Sequence, residues 1–208
     1  PGKEPLPGNG RWSRHGGCYQ LKAALAFHDI ASAGGGEEYR ALYEAVLRDA
    51  LTTHAGFLEA EPETERVMDR LHAYCYFLEG MLPQVNDAGC RRALAHGIER
   101  AGSLLREIGP VFERSDVWAQ LLRLRVYAAA LGAVALDRKL AEEEAAALPR
   151  FQSDGPDRRA AGGFLFGSKA GVPVPIVNPV STVFALQALE QWEQHRGGRF
   201  RADLGELI

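Results

Sequence analysis

Apolar residues recur three and four positions apart along nearly all of the chain after residue 16, and this spacing predicts helices. Seven segments have the pattern. They cover about residues 17–33, 37–53, 65–82, 87–108, 116–131, 136–148 and 179–195. Glycine or proline follows most of these segments, which is where helices usually end. We therefore expect an all-α fold of about seven helices.

The stretches outside the predicted helices are rich in proline and glycine. Residues 1–13 are expected to be an irregular lead-in, so that residues 14–208 form one helical domain. Residues 149–177 are expected to be a long loop, and loops of this length are often lids or binding segments. Asn86 or Asp87 is the expected cap of the fourth helix, and Asn178 before Pro179 that of the seventh.

The predicted helices alternate in character along the chain. The first, third, fifth and seventh are apolar nearly all round, whereas the second, fourth and sixth carry a charged face. This alternation is typical of stacked antiparallel helical hairpins, each with one buried and one surface helix. We expect the hairpins to form an arc whose inner row consists of the apolar helices.

The hairpin pattern resembles the α/α toroids, which include six-hairpin glycosidases, sugar epimerases and lyases, and the terpene-cyclase and prenyltransferase barrels. The loop Gly162-Gly163-Phe164-Leu165-Phe166-Gly167 and the helix start Asn178-Pro179-Val180-Ser181-Thr182 are similar to the Gly-Gly-Phe loop and the Ser/Thr-initiated inner helix of those barrels. A closed six-hairpin ring has twelve helices, so the resemblance implies an arc or part of a toroid. It also implies a carbohydrate-active site or, as the alternative, an isoprenoid-handling one.

Composition and charge narrow the class of protein. The 208 residues suffice for one core, and 46% hydrophobic and 25% charged residues are ordinary for a globular domain. The net charge of −3 is spread without blocks, which argues against nucleic acid or a membrane surface as partner. No apolar run approaches the ~20 residues that span a bilayer. We expect a cytoplasmic protein, truncated or processed at its start because an initiator Met is missing.

The cysteines argue against a metal centre. Cys18, Cys75 and Cys90 have neither a Cys-x-x-Cys spacing nor an even count, so buried free thiols are expected. A zinc site built from Asp69, His72 and Cys75 is disfavoured, because Cys75 lies about 60° from His72 on the apolar side of the third helix. We expect neither a metal nor a cofactor.

The third helix carries the main candidate site. Asp69, His72, Tyr76 and Glu79 fall within an arc of about 80°, and apolar residues cover another side. Such a helix is expected to line a cavity. His72 would be a general base oriented by Asp69, with Tyr74 or Tyr76 as the acid partner. The alternative is a hydrogen-bonded core histidine, with Asp69 interacting with the helix dipole.

Glu79 admits two interpretations. A buried carboxyl with a raised pKa would be a general acid. Alternatively, Glu79 accepts a bond from Lys22, Arg70 or Arg123 and joins two inner helices. Asp69 and Glu79 are about 15 Å apart by helix rise alone, whereas glycoside hydrolysis needs carboxyls about 5 to 9.5 Å apart. Hydrolysis would therefore need a loop carboxylate, such as that of Asp154 or Asp157.

The residues expected to bind a ligand lie at the helix starts, on the fifth helix or in the long loop. They are Gln20, Arg123, Arg125, Asp154, Phe164, Asn178, Ser181 and Thr182. Arg123 and Arg125 either clamp a ligand carboxylate or pair with an inner carboxylate. Phe164 either stacks on a sugar face or fills the core.

The sequence thus favours a carbohydrate-active toroid protein with lyase- or epimerase-like acid/base chemistry on a sugar or uronate. Its partner would be a small molecule or an oligosaccharide, and self-association is possible. An isoprenoid-handling toroid is the first alternative. A non-catalytic helical scaffold or partner-binding module is the second, because fewer helices are predicted than a closed ring needs.

Overall fold

The computed structural model describes residues 16–59 and 64–207, and these residues contain seven α-helices. The predicted lead-in, residues 1–13, lies outside them. The helices are α1 (Leu21–Ser32), α2 (Glu37–Thr53), α3 (Thr64–Met81), α4 (Ala88–Ile108), α5 (Ser115–Ala130), α6 (Arg138–Ala147) and α7 (Pro179–Arg196). None of these helices is both long enough and apolar enough to cross a membrane. The mainly helical prediction is confirmed.

Helix ends follow the predicted local signals. The side chain of Asp87 accepts a hydrogen bond from the backbone N–H of Cys90 at 2.8 Å, and Asn178 accepts one from Val180 at 2.8 Å. Both residues are therefore the N-caps that the sequence indicates. α1 begins later than predicted, because Cys18–Gln20 form a turn of 3₁₀ helix first. The three cysteines are buried and unbonded, as predicted.

A small antiparallel sheet corrects the purely helical expectation. Its strands are β1 (Phe112–Arg114), β2 (Gly167–Lys169) and β3 (Val172–Pro173), in the order β1-β2-β3. Two of the strands lie in the segment predicted to be a loop. Strands of two or three residues are too short to show an alternating pattern. Gly167 permits the pairing, because a Cβ atom there would collide with the backbone oxygen of Glu113.

α5 is the centre of the fold and is buried from Ser115 to Ala128. It packs against α3, α4, α6 and α7, and α3 in turn packs against α1. The odd-numbered helices are therefore consecutive neighbours in the order α1, α3, α5, α7. α2 packs on α1, α4 on α3 and α6 on α5. The closure of this row into an arc or toroid stays a prediction.

α1 and α3 approach each other closely at Gly80. A Cβ atom on Gly80 would lie 2.8 Å from the backbone carbon of Leu21, which is inside van der Waals contact. The hydroxyl of Tyr43 on α2 donates a hydrogen bond of 2.8 Å to the backbone oxygen of Gly80. The glycine therefore sets how α1 and α2 sit against α3.

We predict that Gly80→Ala lowers the free energy of unfolding by about 1–3 kcal/mol, because the added methyl group forces α1 away from α3. Urea denaturation measures the change. Gly56→Ala is the matched control, since a Cβ atom on Gly56 meets nothing within 4 Å. It should change the stability by less than about 0.5 kcal/mol. Equal effects of the two substitutions would contradict the close-approach explanation.

Candidate functional site

A column of polar side chains lies where α3 and α5 face each other, and we call it the polar seam. Its members on these two helices are Asp69, His72, Tyr76, Glu79, Asp116, Gln120 and Arg123. Lys22 of α1, Arg114 of β1, and Phe184 and Gln187 of α7 complete it. Residues later on α3 pair with residues later on α5, from His72 with Asp116 to Glu79 with Arg123, so the two helices run parallel.

Two carboxylates and one guanidinium form the first end of the seam. Arg114 binds Asp116 through two hydrogen bonds of 3.0 and 2.6 Å, and binds Asp69 through a third of 2.8 Å. Asp116 is buried, whereas Asp69 is half exposed. The Nδ1 atom of His72 lies 3.4 Å from the Oδ2 atom of Asp116. Asp116 therefore occupies the place beside the imidazole that the sequence assigned to Asp69.

The rings of His72 and Tyr76 contact each other in the middle of the seam. Burial lowers the pKa of His72, and Arg114 adds to this effect while Asp116 opposes it. The imidazole is therefore neutral at pH 7. Burial raises the pKa of Tyr76 to about 12, so the phenol keeps its proton. The two ring centroids are 4.7 Å apart in an edge-to-face arrangement. A neutral imidazole thus contacts a protonated phenol.

Glu79 forms the second end of the seam. Its carboxylate is fully buried and accepts hydrogen bonds of 2.8 Å from Lys22 and 2.8 Å from Arg123. Arg123 also donates a hydrogen bond of 2.6 Å to Gln187 on α7. Glu79 therefore joins α1, α3 and α5, which is one of its two expected roles. Lys22 and Arg123 thus bring two positive charges against the one negative charge of Glu79.

Several buried polar atoms along the seam have no hydrogen-bond partner in the described part of the chain. They are Oε1 and Nε2 of Gln120 and Nε of Arg123, together with Oγ of Ser181 on the buried face of α7. Buried polar groups in native proteins are nearly always hydrogen-bonded, and an unpaired one costs about 1–3 kcal/mol. These atoms are donors and acceptors that the described residues leave unused.

Phe184 provides the apolar wall of the seam. Its ring lies 4.9 Å from the guanidinium of Arg123, and its centroid is 6.3 Å from that of His72 and 6.3 Å from that of Tyr76. Aromatic rings contribute large apolar contact areas to protein cores. Phe184 connects α7 to the rings of His72 and Tyr76.

Two residues expected at the site lie elsewhere. Arg125 binds both oxygens of Glu144 on α6 at 2.9 Å, because a residue two positions from Arg123 points about 200° away from it on a helix. Arg125 therefore pairs with a buried carboxylate, which is one of its two expected roles. Gln20 is exposed, and its side chain accepts a bond of 3.3 Å from the backbone of Gly17. Lys22 enters the seam in its place.

The candidate residues of the long loop fasten that loop to α7. The backbone N–H of Phe164 donates to the hydroxyl of Thr182 at 2.9 Å, and this hydroxyl donates to the backbone oxygen of Asn178 at 2.9 Å. Phe164 is buried in the core and Asp154 is exposed. Among the loop and cap candidates, Ser181 has the unpaired polar atom described above.

Sequence reasoning missed Arg114 and Asp116. Asp116, Gln120 and Arg123 are four and three positions apart on a helix that is otherwise apolar, and this spacing indicates one polar face. This spacing would have been enough to predict Asp116 as part of the polar face of the fifth helix. Arg114 ends a three-residue strand, where no periodic pattern exists.

Comparisons with known proteins do not assign the chain to a family. A scan against protein-family models, a search of curated proteins and a search of solved structures each gave no match. Within residues 16–59 and 64–207, no group of three or more histidine, cysteine, aspartate or glutamate side chains is placed to hold a metal ion.

We predict that His72→Gln weakens the acid sensitivity of the fold. The pKa of His72 is lowered in the folded state, so the unfolded chain takes up this proton more readily as the pH falls below about 6.5. The wild-type protein should lose more stability between about pH 7 and about pH 5 than the variant does. Urea denaturation at several pH values measures this. The control is His28→Gln, and parallel pH curves for wild type and His72→Gln would contradict the assignment.

We predict that Glu79→Gln lowers the free energy of unfolding by about 3–5 kcal/mol, because it leaves Lys22 and Arg123 without their buried counter-charge. Thermal and urea denaturation measure the loss. Glu193→Gln removes an exposed ion pair with Arg196 and should cost less than about 1 kcal/mol. A Glu79→Gln protein as stable as this control would show that the seam is not held by the carboxylate.

Proposed function

We propose that this protein acts on a uronate or a related sugar acid, with lyase- or epimerase-like acid/base chemistry at the polar seam. The observation that carries the proposal is the neutral imidazole of His72 beside the protonated phenol of Tyr76. Unpaired polar atoms lie along the same seam, and two positive charges face the one negative charge of Glu79 at its second end. We further propose that the row of odd-numbered helices is the inner row of an open arc or of part of an α/α toroid.

The residues divide into reacting and positioning groups. His72 takes the proton from the carbon next to the ligand carboxylate, and Asp116 stabilises the imidazolium that forms. In an elimination, the carbon–oxygen bond then breaks and Tyr76 protonates the leaving oxygen. An epimerisation needs a proton donor on the opposite face of the same carbon, and His72 and Tyr76 lie side by side on one face of α3, so the pair favours elimination. Asp69 holds Arg114 in place and is a positioning residue.

The ligand carboxylate belongs at the Glu79 end of the seam. Lys22 and Arg123 supply two positive charges there against the single charge of Glu79. The Nε atom of Arg123 is buried and unpaired, so it has a hydrogen bond to give. Glu79 orients both cations and is a positioning residue. This arrangement favours a sugar acid over a neutral sugar.

Hydrolysis fits the seam less well. Each of its carboxylates, those of Asp69, Asp116 and Glu79, is bound to an arginine or a lysine. A glycoside hydrolase needs one carboxyl that gives up a proton and a second one about 5 to 9.5 Å away. The charged seam likewise gives little support to the isoprenoid alternative, because a hydrocarbon chain would leave these polar atoms unpaired.

A partner-binding module is the second candidate, and an exposed apolar stripe on α7 favours it. Val180, Val183 and Leu186 are 47%, 60% and 54% exposed on this helix. Contiguous apolar surface of this kind often marks a contact with another protein. Leu186→Glu separates the two functions: it should disrupt partner binding or self-association and leave uronate binding unchanged.

We predict that uronate oligosaccharides are turned over, and that His72→Gln and Tyr76→Phe each lower kcat at least ~100-fold. Ultraviolet absorbance of unsaturated uronate detects elimination, and exchange of the sugar C–H in deuterated water, followed by NMR, detects epimerisation. Lys22→Gln should raise KM for uronates without affecting binding of neutral sugars.

Tyr39→Phe on α2 is the matched control for Tyr76→Phe and should leave the rate unchanged. The proposal would be contradicted if neither uronates nor neutral sugars raised the melting temperature of the protein and neither reacted. Retention of activity in His72→Gln would remove His72 from the reaction.

A further inference from the structure

A small pocket lies on the side of α3 that faces away from the polar seam. Tyr74 contributes to it, and Tyr74 points about 200° from His72 because the two residues are two positions apart on the helix. The pocket has a volume of about 140 Å³. Its lining residues are His54, Ala55, Leu58, Glu59, Tyr74, His96 and Arg100.

The lining of the pocket is rich in groups that carry or accept positive charge. Arg100 and His96 extend from α4, and neither has an ion pair or side-chain hydrogen bond among the described residues. His54, just after α2, places its Nδ1 atom 3.2 Å from the hydroxyl of Tyr74. Glu59 is the one carboxylate among the described residues of the lining. Within that part of the chain, three cationic or proton-accepting groups thus face a single acid.

His54 is held in its uncharged form by its surroundings. Burial lowers its pKa, and the charge of His96 lowers it further. The ring also stacks on Phe77 with 4.8 Å between centroids, which fixes its orientation. A negative charge in the pocket would counter both effects, because it stabilises protonated imidazole.

The size of the pocket restricts what it can hold. Its volume is well below the roughly 300–1,000 Å³ of sites for drug-sized organic molecules. A tetrahedral oxyanion fits this space, and its several oxygens suit a guanidinium, an imidazole and a phenol hydroxyl as donors.

We propose that this pocket binds a small oxyanion, such as sulfate, phosphate or a phosphoryl group, with uptake of protons by the protein. Arg100 supplies the permanent charge, and His54 supplies charge on protonation. Protonated His54 donates its Nδ1 hydrogen to the oxygen of Tyr74, which frees the phenol hydrogen for the anion. The carboxylate of Glu59 opposes binding of an anion by charge repulsion.

Thermodynamic linkage gives this proposal a measurable signature. If binding favours protonation, then protonation favours binding to the same degree. The affinity should therefore rise as the pH falls, by up to about tenfold per pH unit for each proton taken up. Sulfate stays doubly charged throughout, so a pH dependence of its affinity belongs to the protein.

Calorimetric titration of the full chain with sodium sulfate, from about pH 7.5 to about pH 5.5 at constant ionic strength, tests the proposal. Two buffers with different ionisation enthalpies count the protons that are taken up. Glycerol phosphate, titrated in parallel, distinguishes a free ion from a phosphoryl group on a larger molecule.

Arg100→Gln and His54→Gln should each weaken sulfate binding about tenfold or more, and Glu59→Gln should tighten it at the higher pH. Arg48→Gln, which removes an exposed charge on α2, is the control and should change nothing. His72→Gln should also leave sulfate binding intact, so that this pocket is tested independently of the seam. Weak binding that is equal in all variants, or binding without proton uptake, would overturn the proposal.

Discussion

The fold depends on one buried carboxylate. Glu79 sits between the ammonium group of Lys22 and the guanidinium of Arg123, and through them it fixes α1 and α5 against α3. The bond from Arg123 to Gln187 extends this linkage to α7. Taking a carboxylate out of water is costly, and only well-aligned partners repay that cost. The positions of α1, α3, α5 and α7 relative to one another therefore depend on the bonds made to and through the Glu79 carboxylate.

The alignment of the helices decides which side chains meet in the seam. With Glu79 opposite Arg123 and the helices parallel, His72 lies beside Asp116. Asp116 in turn is bound by Arg114 of β1. The middle of the seam is then screened from water, which keeps the imidazole neutral and the phenol of Tyr76 protonated. The same burial would be expensive for Gln120 without polar partners. Structure and candidate chemistry thus have one physical origin.

The spacing of apolar and polar residues predicted those features that a single helix determines without its neighbours. The bounds of α2, the caps Asp87 and Asn178, and the polar face of α3 could all be read from spacing. The carboxylate beside His72 could not be predicted in this way, because it depends on the rotation of α5 relative to α3. The strands were missed because three residues carry no periodic signal. The opposite directions of Arg123 and Arg125 follow from helix geometry and were within reach of the sequence.

The central claim is that the seam between α3 and α5 holds a sugar acid. A crystal structure of the protein soaked with a short uronate oligosaccharide tests this most directly. The account predicts the ligand carboxylate against Lys22 and Arg123, with ring hydroxyls paired to Gln120 and the reacting carbon beside His72. Ordered water alone along the seam, with the sugar bound elsewhere or not at all, would contradict it.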